Sequence, residues 1–265
     1  MADLDRSGSL SALAVVADEE LRDLWVGGRA LVLITAYSLF LSVLVYLLAA
    51  NSSLNFLEQR ESLSLTAQLA IAVGGLLTVI VAADAISGER ERRTLESVLV
   101  SPAPRRSLVA GKLLAALSLW LACFAVAVPY IWFLGNDVGL VASAVACTLC
   151  VGTLLALSLA CFGMTVSIVS PSNRISLSLS LFVLLALLAP TQLPPSAQAG
   201  WAGESLARIN PLTAGEHYVG RVLTDGHPWQ QDVSWLVSPA IAAGVLLVVV
   251  LTAGASLSLE PRSTR

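Results

Sequence analysis

The sequence is poor in charged residues, and this shortage limits the kinds of protein that it can encode. Only 12% of the 265 residues are Asp, Glu, Lys or Arg, about half of the ~25% typical of soluble domains, whereas 56% are hydrophobic. The mean hydropathy is correspondingly high, at +0.80. Such a chain has too little polar surface to cover a soluble fold, so its composition predicts an integral membrane protein.

Cysteine and blocks of like charge are also scarce. The 4 cysteines all lie within apolar runs: Cys123, Cys147, Cys150 and Cys161. The CxxC spacing of Cys147 and Cys150 has no second ligand pair, so we interpret the cysteines as small packing residues rather than a metal site or a disulfide framework. The chain has no basic tail that would indicate a nucleic-acid partner.

Six apolar stretches are long enough to cross the hydrocarbon core of a bilayer, which takes about 20 residues of helix. They cover residues 30–50, 66–86, 113–134, 139–168, 175–192 and 235–258, to within a few residues. We therefore predict an all-α integral membrane protein with six transmembrane helices in one domain. The first run begins too far from Met1, after an acidic segment, to be a cleavable signal peptide.

The distribution of positive charge predicts the orientation of these spans. Six spans place both termini on the same side, and cytoplasmic segments carry an excess of Lys and Arg. With segments 1–29 and 87–112 on the inside, the inner basic residues are Arg6, Arg22, Arg29, Arg90, Arg92, Arg93, Arg105, Arg106, Lys112, Arg174, Arg262 and Arg265. The outer ones, including those of the loop 193–234, are Arg60, Arg208 and Arg221. We expect both termini to be cytoplasmic.

Two regions outside the spans are predicted to be amphipathic helices. Residues Leu10–Trp25 place apolar residues at near-helical spacing and charged residues, mostly acidic, at the other positions, as in a helix that lies on the inner membrane surface. The outer loop contains two short amphipathic pieces, Trp201–Ile209 and Leu212–Leu223, separated by an Asn-Pro pair. Three tryptophans there suit interfacial positions: Trp201, Trp229 and Trp235.

Six of the fifteen basic residues lie between the second and third spans, in the segment Asp84–Lys112. Within it we predict a short helix over Glu89–Val100, ended by a Ser-Pro pair. Its apolar stripe consists of Leu95, Val98 and Leu99. Interleaved charges beside such a stripe suit docking on a protein partner, the charges fixing the register and the stripe supplying buried area. The alternative is a solvated helix whose arginines only fix the topology.

The same segment resembles the signature loop of ABC-2 type transporter permeases. In that family a GERE run leads to TLE, then SP, then GK, and the residues from Gly88 to Lys112 follow this order. Asp84 and the INPLT segment Ile209–Thr213 also fit, so the resemblance covers nearly the whole chain. Arg93 departs from the pattern, because the family usually has Gly at this position.

The resemblance implies the permease subunit of an ABC transporter, driven by a separate ATP-binding-cassette ATPase that binds the ATP. The chain itself would hold no cofactor or metal and would not be an enzyme. The second subunit of the pathway would be another copy of this chain or a related chain, and the bilayer would be the cytoplasmic membrane of a prokaryote. The ATPase-coupling residues implied by position are Glu89, Arg90, Glu91, Arg92, Arg93, Thr94, Leu95 and Glu96. The resemblance favours export but identifies no substrate.

Two further shortages agree with an external source of energy. The Gly-Lys pair that ends at Lys112 is no P-loop, because Arg106 stands where its first glycine belongs and Leu113 where Ser or Thr belongs. The spans also nearly lack the acids and bases that couple transport to an ion gradient. Asp84, near the inner end of the second span, is the one candidate for a gate or coupling acid, and otherwise an ordinary helix-end residue.

Other readings stay open at this point. The chain could belong to an ABC-type system that assembles or delivers a cofactor or protein, or it could be an ATPase-independent channel or scaffold. Ser205 with His217 or His227 would be needed for an intramembrane hydrolase, but the GxSxG pattern fails at Ala207. Four residues of the outer loop have side chains that can bind a metal ion: Glu216, His217, Asp225 and His227. Their spacing fits no known metal-binding pattern.

Small residues within the spans predict close contacts between helices or, alternatively, the lining of a pathway. They are Gly74, Gly75, Gly152, Gly163, Ser176, Ser178 and Ser180.

Overall fold

The computed structural model describes residues 2–50, 56–93, 105–192 and 200–255, which are almost entirely helical and include no strand. The helices are α1 Ala2–Val26, α2 Arg29–Ala50, α3 Phe56–Asp84, α4 Ser87–Glu91, α5 Arg105–Gly135, α6 Val141–Val169, α7 Asn173–Leu188, α8 Trp201–Ile209, α9 Pro211–Leu223 and α10 Val237–Ala255. A 3₁₀ turn follows α7 at Ala189–Gln192, and another precedes α10 at Val233–Leu236.

Six of these helices are long and apolar enough to cross a membrane: α2, α3, α5, α6, α7 and α10. The predicted six-helix membrane fold is therefore confirmed. Two helices extend beyond their apolar runs, since α3 begins at Phe56 and α5 at Arg105. A helix satisfies its own backbone hydrogen bonds, so polar residues can continue it past the hydrocarbon core.

The centre of the bundle is formed where α3, α5 and α6 meet around Trp120, whose side chain is only 1% exposed. Its ring fits against two of the glycines that the sequence singled out. A Cβ atom at Gly152 would lie 2.3 Å from the ring, and one at Gly74 would lie 2.8 Å from it. The indole Nε1 donates to Thr153 Oγ1 at 3.1 Å, which satisfies the one polar atom of the ring.

The outer helices present apolar surface to the surroundings of the bundle. Only 17% of the residues in the most apolar windows of α2, α7 and α10 are buried. On α7, Ser176 and Ser180 are buried while Ser178 is exposed, as expected from their spacing. Ser176 Oγ donates to the backbone oxygen of Ala83 at 2.8 Å. These small side chains therefore turn α7 toward α3.

The two ends of the bundle differ in chemistry. One end, here termed the charged end, is formed by the start of α2, the end of α3, α4 and the start of α5. It carries Arg29, Asp84, Glu89, Arg92 and Lys112. The opposite end carries α8, α9 and the start of α10.

At the charged end, α1 packs along α5 with the apolar side that the sequence predicted. Val16 and Leu24 are buried, and Trp25 Nε1 donates to Ser118 Oγ at 3.2 Å. The two helices approach closely because residue 111 is glycine, where a Cβ would lie 2.7 Å from Val16 Cγ1. The predicted amphipathic helix thus docks on the bundle, and its position on a membrane surface stays a prediction.

At the opposite end, the two predicted amphipathic pieces are the helices α8 and α9. Asn210 between them caps α9, because its Oδ1 accepts hydrogen bonds from the backbone nitrogens of Leu212 at 3.0 Å and Thr213 at 3.5 Å. Its Nδ2 donates to the backbone oxygen of Leu187 at 2.7 Å. The Asn-Pro pair therefore starts one helix and ties it to α7.

The three outer tryptophans do not share one environment. Trp201 and Trp229 are 86% and 61% exposed on the protein surface, which agrees with side chains that would contact a membrane interface. Trp235 is only 8% exposed and packs against the ring of His217, with the ring centroids 4.1 Å apart. Trp235 is thus part of the packed core rather than a surface anchor.

The packing around Trp120 predicts that Gly152→Ala lowers stability. The added methyl group would overlap a buried ring that has no space to move, and overpacking of this kind costs about 1–3 kcal/mol. The measurement is the midpoint of heat-induced unfolding in detergent. Gly244→Ala is the matched control, because a Cβ there meets nothing within 4 Å. Equal midpoints for the two variants would contradict this account of the core.

Candidate functional site

The predicted coupling segment forms a shorter helix than the sequence indicated. The helix α4 ends at Glu91, and Arg93 has a backbone φ of 60°. The expectation of one continuous helix over Glu89–Val100 is therefore wrong, because a residue in the left-handed region terminates an α-helix. Three predicted coupling residues, Thr94, Leu95 and Glu96, lie outside the described residues.

The left-handed conformation of Arg93 also gives a reason for the glycine that ABC-2 permeases usually have at this position. Glycine adopts a positive φ without a steric penalty, whereas an L-residue with a Cβ does so at a cost of roughly 1–2 kcal/mol. The turn that ends α4 is therefore formed with Arg93 at a position to which glycine is better suited.

Asp84, at the end of α3, joins two arginines. Its Oδ2 accepts from Arg29 at 2.5 Å and from Arg92 at 3.0 Å, and its Oδ1 accepts from Asn173 Nδ2 at 2.7 Å. The carboxylate lies against the backbone of Gly88, where a Cβ would be only 2.3 Å from Oδ1. Asp84 thus connects α2, α4 and α7, and the glycine of the GERE run makes room for it.

Lys112, the only lysine of the chain, forms the second half of the site. Its ammonium donates to Glu20 on α1 at 2.6 Å and to Glu89 on α4. The side chain is only 4% exposed, so both ion pairs lie in a largely dehydrated environment. Two carboxylates share one cation here, and burial raises the pKa of the Glu20 carboxyl despite the ammonium beside it.

The two halves line the same small cavity, of about 50 Å³, at the charged end. The Asp84 half has one excess positive charge and the Lys112 half has one excess negative charge. Three cations face three anions, and the set is neutral. The six residues are Glu20, Arg29, Asp84, Glu89, Arg92 and Lys112. We refer to them as the six-charge cluster.

A second set of contacts fixes α4 to the bundle through backbone groups. Arg90 donates through Nη1 to the backbone oxygen of Ser170 and through Nη2 to that of Ile168 at 3.1 Å. Ser167 Oγ accepts from the backbone nitrogens of Ile86 at 3.0 Å and Ser87 at 2.8 Å. The carboxyl end of α6 is thus capped by a residue of the predicted coupling segment.

The charges of the segment therefore divide into two groups. Glu89, Arg90 and Arg92 bond to the bundle, while Glu91 and Arg93 are exposed and have no side-chain partner among the described residues. The sequence predicted all five as one docking surface. The structure leaves only Glu91 and Arg93 of this set available for a partner without breaking an internal bond.

Comparison with protein-family models assigns nearly the whole chain. Residues 14–258 match the model described as ABC-2 family transporter protein. The chain belongs to the ABC-2 transporter family. No curated protein matches the permease.

Family membership confirms the resemblance carried by the charged segment. The protein is a multi-pass membrane permease subunit of an ABC transporter, and such subunits are normally non-catalytic. The family also implies an ATP-binding-cassette ATPase as partner and a lipid bilayer as surroundings. The roles of the individual coupling residues stay predictions.

Several residues of the site carry no sequence signal for their role. The sequence places Glu20 only in an amphipathic helix and Arg29 only in the positive-inside bias, and it gives Asn173 no distinguishing pattern. Their partners lie 55 to 92 positions away in the chain, too far for any helical spacing to reveal. One signal was present: Lys112 is the single lysine and sits inside a long apolar helix, where a cation requires a partner.

The alternative sites at the opposite end gain no support. Ser205 Oγ donates to the backbone oxygen of Trp201 at 2.7 Å within α8, and no described contact joins it to a histidine. His227 Nδ1 lies 2.9 Å from Asp232 Oδ2. Within the ranges that the structure describes, no group of three or more His, Cys, Asp or Glu is placed to hold a metal ion.

The six-charge cluster predicts that Lys112→Met destabilises the permease. The variant leaves Glu20 and Glu89 facing each other without a cation, and breaking a buried pair from one side costs about 3–5 kcal/mol. The measurements are the midpoint of thermal unfolding in detergent and the rate of proteolysis within α1. The control is Arg22→Met, because Arg22 pairs with Asp18 on the surface, where both side chains are more than half exposed. Unchanged behaviour of Lys112→Met would show that the cluster does not hold α1.

Proposed function

We propose that this permease is the membrane subunit of an ABC exporter and that α4 carries movement from the ATPase into the bundle. The observation that carries the proposal is the double character of α4. Together with the turn that ends it, this short helix is bound to the bundle through Glu89, Arg90 and Arg92 and presents Glu91 and Arg93 to the exterior.

The internal bonds of α4 reach several spans at once. Glu89 connects to α5 and, through Lys112, to α1, while Arg92 connects through Asp84 to α2 and α7. A displacement of α4 therefore acts on all of these helices together, because ion pairs centred on the buried side chains of Lys112 and Asp84 resist separation. ATP-driven closure of paired ATPases would move α4 and, with it, the charged ends of the spans.

The orientation that this proposal requires places the charged end in the cytoplasm. The distribution of basic residues supports it, since the charged end carries the arginines of α4 and the start of α5 whereas the opposite end has Arg60, Arg208 and Arg221. The membrane would then be the cytoplasmic membrane of a prokaryote, with the partner ATPase bound on its inner surface.

For Asp84 we propose a role in gating as an anchor of ion pairs. A carboxylate bonded to Arg29, Arg92 and Asn173 holds α2, α4 and α7 in one arrangement. Exchange of these partners during the transport cycle would let the helices separate. This role differs from proton coupling, which would need an acid that releases its partners to bind a proton.

A second permease subunit, either another copy or a related chain, completes the proposed pathway. Much of the apolar surface of α2 and α7 is exposed, including Phe40 on α2 and Phe182 on α7. Lipid or a second subunit would cover this surface equally well on hydrophobic grounds. The proposal of two subunits therefore rests on the family rather than on these faces.

The division of charges predicts which residues the ATPase touches. The double variant Glu91→Lys with Arg93→Glu reverses both exposed charges and leaves every bond of the six-charge cluster intact. We expect it to weaken the complex with the partner ATPase, because complementary charges fix the docking register. The measurements are co-purification in detergent and the ATP hydrolysis that depends on the permease.

The matched control exchanges the charges of an exposed ion pair at the opposite end, Glu204→Arg with Arg208→Glu. This pair joins Glu204 Oε1 to Arg208 Nη2 at 3.0 Å within one helix, so its exchange keeps the attraction. We expect normal association and hydrolysis. Full association of the Glu91 and Arg93 double variant would rule out this docking surface, and a permease that never binds an ATPase would rule out the proposed function.

A further inference from the structure

A large cavity lies at the opposite end of the bundle, far from the six-charge cluster. Its volume is about 570 Å³, which is within the roughly 300–1,000 Å³ range of small-molecule sites. The apolar walls come from α3 and α7, with Leu65, Leu69 and Ala72 on α3 and Leu188 on α7. The polar wall comes from α9. The cavity is therefore amphipathic, with its polar groups on one side.

Glu216 on α9 is the exceptional group of this lining. It is half-buried, and its carboxylate has no hydrogen-bond or ion-pair partner among the described residues. Burial raises the pKa of Glu216 to about 7. An acid in such a setting either holds a proton or attracts a cation, because an ionised carboxylate without a partner is costly to bury.

The neighbouring basic groups are engaged elsewhere. Arg221 Nε donates to His217 Nε2 at 3.3 Å, and Arg221 Nη1 lies 3.9 Å from Asp232 Oδ1. Burial, with the positive charge of Arg221, lowers the pKa of His217. The remaining charged lining group is Asp225, which is also an acid. In the described part of the chain, α3 and α7 add no ionisable group to the lining.

Two uncharged polar groups lie beside Glu216. Thr213 is three residues earlier on the same face of α9, and its Oγ1 is buried without a hydrogen-bond partner. Gln68 on α3 donates through Nε2 to the backbone oxygen of Glu216 at 3.5 Å, which leaves its Oε1 as an acceptor. The Glu216 carboxylate and Gln68 Oε1 therefore offer acceptors to this side of the cavity, and the Thr213 hydroxyl can accept as well as donate.

We propose that this cavity is a binding site for an amphipathic organic cation, with the charged group at Glu216 and the apolar body against α3 and α7. The shared chemistry is a cationic group on an apolar body, which can come from a water-soluble compound or from the head group of an aminophospholipid. The proposal does not rest on coupling to the ATPase, because the site lies within the permease alone.

Ionisation of Glu216 gives the site a defined pH dependence. The carboxyl has a pKa near 7 in the folded protein, against 4.5 for an ordinary glutamate, so burial of its charge opposes folding increasingly as pH rises through this window. A bound cation offsets that penalty. Burial, with the positive charge of Arg221, lowers the pKa of His217, which moves its titration away from the window in which Glu216 ionises.

The test measures binding of tetraphenylphosphonium to the purified permease in lipid-free detergent, at pH 6 and pH 8.5, by equilibrium dialysis. The charge of this probe does not titrate, so a pH dependence reports on the protein. Since about one Glu216 in ten is ionised one pH unit below its pKa, we expect affinity to rise about tenfold between the two pH values. Glu216→Gln is expected to bind weakly at both pH values.

Three controls make the result specific. Glu204→Gln changes an exposed glutamate outside the cavity and should leave binding unchanged. Ala72→Phe fills the cavity without altering charge and should abolish binding, which keeps the test valid if Glu216→Gln fails to fold. Triphenylphosphine oxide, an uncharged molecule of similar shape, should not compete.

The remaining outcomes distinguish the sources and the alternatives. Displacement of the probe by added phosphatidylethanolamine would identify a membrane lipid as the source of the cation, and the absence of displacement would favour a soluble compound. Binding that is equal at both pH values, or equal in Glu216→Gln, would overturn the proposal. The proposal would also be overturned if a dimeric permease bound the probe only after it dissociated, because the second copy would then cover the cavity.

Discussion

The organisation of this permease depends on a neutral cluster of six charges at one end of the bundle, centred on the buried side chains of Asp84 and Lys112. Each ion in such a site would be costly alone, and the cost is offset only when opposite charges lie within hydrogen-bond distance. Because Lys112 and Asp84 each bond to two oppositely charged residues, five helices must keep their relative positions for the cluster to remain satisfied. The short helix α4 is one of them, and it has little buried surface of its own.

The cluster gives separate roles to the residues of the charged segment between the second and third spans. A run such as GERERR suits a solvated helix or a docking surface, and the structure assigns its members to different tasks. Glu89 and Arg92 hold α4 against the spans, Arg90 caps α6, and Glu91 and Arg93 remain on the surface. A helix that is bound firmly on one side and charged on the other suits the transfer of movement between a soluble partner and the membrane.

The two ends of the bundle handle buried charge in opposite ways. At the charged end, every member of the six-charge cluster has a partner of opposite sign, which favours one fixed arrangement. At the opposite end, Glu216 lies in a cavity without such a partner, and its pKa responds to that environment. A fully paired site transmits force, whereas an unpaired acid can respond to pH or to a ligand. In the functions proposed above, the fold thus separates a mechanical region from a chemically responsive one.

The sequence by itself determined the number of spans, the helical nature of the outer pieces and the membership of the family, because these depend on local hydropathy, on caps such as Asn210 and on a contiguous motif. It also indicated that Gly74 and Gly152 serve close packing. Only the tertiary structure decided that Trp120 fills the space they leave, that Lys112 bonds to Glu20 and Glu89, and that α4 ends at Glu91. The physical reason is distance along the chain: ion pairs and cavities are made by residues that only folding brings together, and no periodicity records them.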